Sequence, residues 1–85
     1  MRMIERLKEL EQQYMFLRWV SGNEYGKLDY VGDDFIEFSI IDVDTMEYRE
    51  TLLINSQLVL EVAIGGADVS RVVAEISSQL SFGEN

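Results

Sequence analysis

The sequence predicts a mainly β, α+β domain: an N-terminal helix, a five-stranded, strongly bent antiparallel sheet forming a small barrel, and a C-terminal helix. Three observations predict it. Apolar residues recur at helical spacing near both ends of the chain. Between them lie five runs of bulky residues suited to a pleated, half-buried surface. Short connections of two to five residues separate these runs, as in a meander, and links that short join antiparallel neighbours.

At the N-terminus, Met3, Leu7, Leu10 and Tyr14 follow helical spacing with Ile4 beside them, and charged or polar residues fill the other faces. This predicts a helix within residues 1–13. Glu5 and Glu9 repel at i,i+4, partly offset by Arg6 and Lys8. So short a helix is marginal alone and must dock on something.

Residues 15–20 predict strand one, and Ser21-Gly22-Asn23 a turn. Residues 24–31 predict strand two, in which Gly26 marks a sharp bend or bulge. Gly32-Asp33-Asp34 turns the chain into strand three, residues 35–42. There Ile36, Phe38 and Ile40 share one face, and Phe35, Glu37, Ser39 and Ile41 the other. After a turn at residues 42–46, strand four covers 48–54 and Asn55-Ser56-Gln57 turns again. Strand five, residues 58–64, sets Leu58, Leu60, Val62 and Ile64 against Val59, Glu61 and Ala63. Gly65-Gly66 ends it. Asp68 is the expected N-cap of a helix over 67–80, with Val69, Val72, Val73, Ile76 and Leu80 as its apolar stripe. Residues 81–85 read as a frayed tail.

The 85 residues form one domain, whose core is limited because so short a chain buries only about 60% of its unfolded surface. Domains of this size commonly add disulfides, a metal or self-association. Cysteine and histidine are both absent, which excludes a disulfide and argues against structural zinc. With a hydrophobic fraction of 47%, part of the apolar surface is expected to face another subunit. The net charge of −9 repels nucleic-acid backbones and anionic membranes, and suits solubility or a basic protein partner. No run approaches the roughly 18 apolar residues of a spanning helix, and the charged N-terminus is unlike a signal peptide. A cytoplasmic location without membrane contact is expected, in keeping with the missing cysteine.

The segment Tyr25-Gly26-Lys27-Leu28 through Gly32-Asp33-Asp34-Phe35-Ile36-Glu37-Phe38 resembles the first motif of the Sm/LSm superfamily. Gly26, Leu28, Asp33, Phe35 and Ile36 match its pattern. Glu37 stands where the family has asparagine, and one extra residue lies between Leu28 and Asp33. Residues 52–62, Leu52-Leu53-Ile54-Asn55-Ser56-Gln57-Leu58-Val59-Leu60-Glu61-Val62, are similar to the family's fourth strand, turn and fifth strand, without its Arg-Gly pair. The histidine-bearing motif of the bacterial RNA chaperones is also missing.

The resemblance spans residues 15–64. It implies an Sm-like barrel that forms rings or other homo-oligomers by pairing strand four with strand five of a neighbour. Leu52, Leu53, Ile54, Leu58, Val59 and Leu60 would form that interface. It also implies a base-contact site at Asp33, Phe35 and Glu37, with Arg18, Lys27 and Arg49 as the available cations. Glu37, when ionised, only accepts hydrogen bonds, and Asp33 and Asp34 add like charge. A phosphate backbone would be repelled there.

Other chemistries are poorly represented. Without histidine or cysteine there is no Ser-His-Asp arrangement and no thiol nucleophile. Gly65-Gly66 lacks the P-loop lysine spacing. The carboxylates of Asp33-Asp34 and of Asp42, Asp44 and Glu47 fall in turns, where water surrounds them. The latter set lacks the spacing of a calcium loop. Phe16, Trp19, Phe35, Phe38 and Tyr48 suit a core or subunit interface better than base stacking. The expected function is therefore a non-catalytic, Sm-like, homo-oligomeric binding or scaffold protein with an acidic surface. A divergent RNA-binding protein is the alternative and an enzyme of unknown type the third reading. No cofactor or metal is expected.

Overall fold

The computed structural model describes residues 2–83, with side chains to residue 79. Helix α1 (Met3–Glu9) leads into strands β1 (Tyr14–Trp19), β2 (Gly22–Val31), β3 (Phe35–Asp42) and β4 (Glu47–Asn55). A 3-10 turn (Ser56–Leu58) joins β4 to β5 (Val59–Ala63), and α2 (Ala67–Gly83) follows. The five strands form one antiparallel sheet in the order β4-β3-β2-β1-β5. Among the described residues the sheet is open: β4 and β5 are its edges, each paired on one side only. The expected barrel is thus not closed by a single copy.

One face of the sheet carries the core. Met15 and Leu17 of β1, Leu28 and Val31 of β2, Ile36, Phe38 and Ile40 of β3, Ile54 of β4 and Val59 of β5 are buried together. Leu7 and Leu10 at the end of α1 cap this cluster, so the amphipathic stripe of the helix docks as its spacing requires. On β3, Ile36, Phe38 and Ile40 lie inside as predicted from sequence, but Ser39 and Ile41, predicted on the other face, are buried as well, and the register against β4 shifts between Ile40 and Ile41.

Two irregularities shape β2. At Gly26 the strands approach so closely that a Cβ would overlap the Ser39 carbonyl oxygen and lie 2.7 Å from Phe38 Cζ. Only glycine fits. The pairing register with β3 then shifts between Leu28 and Tyr30, leaving Asp29 as the extra residue of a bulge.

That bulge explains why α1 ends early. Residues 10–13 have helical composition, but their hydrogen bonds go elsewhere. The Gln12 N–H donates to Leu28 O (2.6 Å) and the Leu28 N–H to Gln13 O (3.0 Å). The Gln12 side-chain amide donates to Asp29 O (2.6 Å), and the Glu11 carboxylate accepts from Val31 N–H (2.7 Å). Gln12 takes a φ of 71° to make this turn. Three consecutive residues thus satisfy backbone groups around the bulge.

Other predicted boundaries also shift. The β1–β2 hairpin turns at Val20-Ser21, since Trp19 pairs with Gly22, so β2 starts two residues earlier than expected. The Trp19 indole N–H donates to Ser21 Oγ across that turn (3.0 Å). The alternation predicted for strand five is corrected: the register against β1 slips between Arg18 and Trp19. Val59 and Val62 therefore both pack on the core, while Leu58, Leu60 and Ile64 are exposed.

Asp68 lies inside the first turn of α2, pairing with Arg71 (3.8 Å), and is not its cap. Gly66, with φ +96°, takes the corner instead, and its carbonyl accepts from Ser70 N–H (2.9 Å). The helix runs beyond residue 80 to Gly83, where a tail was expected; residues 84 and 85 and the Leu80 side chain lie outside the described part. α2 lies against β1 with Ile76 fully buried and Val69, Val72 and Val73 half-buried.

Candidate functional site

The motif turn Gly32-Asp33-Asp34 is tight because the Gly32 N–H donates to Phe35 O (2.8 Å). The Phe35 ring lies over Gly32 and tilts against Tyr30, with ring centroids 5.8 Å apart. Phe35 is therefore half-buried by its own hairpin. The Asp33 side chain is 99% exposed, and Lys8 of α1 reaches it at 3.4 Å. Such an exposed pair contributes little to stability.

The β4–β5 link meets this turn: the Ser56 N–H donates to Asp34 O (2.9 Å). The Asn55 side chain accepts from Gln57 N–H (2.9 Å) and sets the 3-10 turn. Between these two connections and the start of α1 lies a hollow of about 390 Å³, lined by Arg2, Met3, Ile4, Asp33, Ser56, Gln57 and Val59. Of the candidate base-contact residues, Asp33 lines it and Phe35 and Glu37 do not. Arg2, Ser56 and Gln57 were not legible as site residues, since three distant segments meet to make the hollow.

The cations do not gather. Arg18 pairs with Glu61 on β5 (3.6 Å), and Arg49 with Glu24 (3.3 Å). Lys27 sits 5.9 Å from the centre of the Tyr14 ring. Each is engaged with a different partner.

On the sheet face opposite the core, Lys27, Ser39 and Thr51 stand in register across β2, β3 and β4. The Ser39 hydroxyl donates to the Asp29 carboxylate and lies 3.0 Å from Thr51 Oγ1. Ser39 is buried, so this polar row ties three strands and the bulge together. Among the described residues, no group of three or more acidic side chains could hold a metal ion, and no helix is long and apolar enough to cross a membrane.

The sheet edges form a second candidate surface. Leu53 on β4 is 68% exposed and Leu60 on β5 58%. Leu58 is exposed beside them in sequence, Leu52 is half-buried, and Ile54 and Val59 point into the chain's own core. The six predicted interface residues therefore divide: three present side chains to solvent, and three hold the edges to the core. No protein-family profile, curated protein or solved structure matches the chain.

Proposed function

We propose that the chain is an Sm-like, homo-oligomeric scaffold that assembles by pairing β4 of one copy with β5 of the next and offers its acidic surface to basic proteins. The observation that carries the reading is the pair of bare edges with Leu53 and Leu60 in solvent. Open edges with exposed apolar residues invite strand pairing, and soluble proteins cover or blunt them. The two edges differ, so their pairing is head-to-tail, and a closing rotation makes a ring.

The short link between β4 and β5 supports the barrel part of the reading. The edges of a flat five-stranded sheet stand about 19 Å apart. The link from Asn55 to Val59 has four steps and spans at most about 14 Å. So short a link favours a sheet that curls to bring its edges near.

The RNA-binding alternative has less support. Arg18, Lys27 and Arg49 are dispersed, and Asp33 stands at the rim of the hollow. The net charge of −9 opposes phosphate approach.

Light scattering of the full chain at micromolar concentration tests the proposal. A mass several times that of the protomer is expected, and a monomer overturns it. Titration with uridine- and adenosine-rich oligonucleotides over a salt series separates the two readings. Binding that weakens steeply with salt would replace the scaffold with the RNA-binding alternative.

A further inference from the structure

β4 is nine residues long and β5 only five. Pairing them between copies, the reading on which this inference rests, leaves part of β4 with no strand opposite. A five-residue strand pair is also small against the roughly 800 Å² per partner of a typical stable interface.

Face parity narrows the register. Leu52 and Val62 both pack against the core cluster. A sheet that continues across an interface keeps core-side residues on one side, and a one-residue slip would reverse them. Placing Leu52 opposite Val62 of a neighbouring copy brings Thr51 opposite Ala63, Glu50 opposite Ile64 and Arg49 opposite Gly65. The longer edge therefore reaches past the end of β5, onto the two residues that follow it.

Those two residues are ready for it. Ile64 is 44% exposed although apolar, and Gly65 is exposed with nothing within 4 Å of where its Cβ would lie. The corner into α2 is made one residue later, at Gly66, where φ is +96° and the carbonyl already accepts from Ser70 N–H. Ile64 and Gly65 can join the strand while α2 keeps its place.

We infer that Ile64 and Gly65 are an extension of β5 that orders against β4 of a second copy. β5 becomes two residues longer at the interface, Ile64 leaves solvent on the same side as Val62, and Gly66 remains the hinge to α2.

Sedimentation equilibrium on the full chain and on Gly65→Pro and Gly65→Val tests this. Proline removes the N–H and fixes φ, and loss of one backbone hydrogen bond with its geometry raises the dissociation constant per interface about tenfold. Valine favours the extended strand and reduces the freedom of the unpaired segment, so it tightens assembly about threefold. Circular dichroism of each variant should match that of the unaltered chain, because Gly65 is exposed and its surroundings are open. If the unaltered chain assembles and Leu60→Glu disperses it, but both Gly65 variants assemble like the unaltered chain, the extension is overturned and the β4–β5 pairing stands. An unaltered chain that stays monomeric removes the pairing and the extension together.

Discussion

The middle of the sheet and its edges meet the same demand, a partner for every strand, by different means. β2 and β3 have strands on both sides, and Leu28, Ile36 and Phe38 are sealed from water. Gly26 admits β3 at a distance no other residue allows, and the bulge at Asp29 draws residues 11–13 onto it. β4 and β5 each have one neighbour, and Leu53 and Leu60 stand in solvent. The centre holds the fold, and the edges are where the proposed pairing would act.

Substitutions can break that contrast, and the largest effects belong at the centre. Phe38→Ala empties a fully buried aromatic site and should cost about 3–5 kcal/mol in urea denaturation. Gly26→Ala forces a methyl onto the Ser39 carbonyl and the Phe38 ring and should cost about 1–3 kcal/mol. A loss well under that range would mean the strands can separate at this point, and the glycine would lose its assigned role. Glu11→Ala leaves the Val31 N–H without its acceptor and should cost about 1 kcal/mol, with faster amide exchange at Val31.

The edges should behave otherwise. Leu53→Lys and Leu60→Glu lie on exposed positions and should shift folding stability by no more than about 0.5 kcal/mol. Each should nevertheless lower the mass read by light scattering to that of smaller species. If either variant unfolds the chain, the division between centre and edge does not hold.

The legible part of the fold follows the same division. Ile36, Phe38 and Ile40 gave the core face of β3 by simple alternation, whereas Gly26, expected at a bend or bulge, lies in continuous register at a close approach, and the bulge comes three residues later at Asp29. What the sequence hides is created by contacts distant along the chain. Residues 11–13 look helical, yet β2 captures them through Leu28, Asp29 and Val31. Leu60 looks like a partner of Val62 on one face, yet a register slip opposite Arg18 and Trp19 turns it outward. Local periodicity cannot register a bulge that depends on the neighbouring strand.

The candidate site was legible to the same extent. Asp33 could be placed at a turn, but the hollow it borders needs Arg2 and Ser56 from opposite parts of the sequence. Arg18, Lys27 and Arg49 read as cations available to a base-contact site only while their partners were unknown. Glu61, Tyr14 and Glu24 take them up separately.

Because β4 and β5 are different surfaces, spoiling one leaves the other competent. A Leu53→Lys chain keeps an intact β5, and a Leu60→Glu chain an intact β4. Under the proposed pairing, either one, added in small amounts to the unaltered protein, should act as a chain terminator that blocks growth at one end. A sheet with unlike edges thus carries a direction, and an assembly built by the proposed pairing would have a head and a tail that can be capped independently.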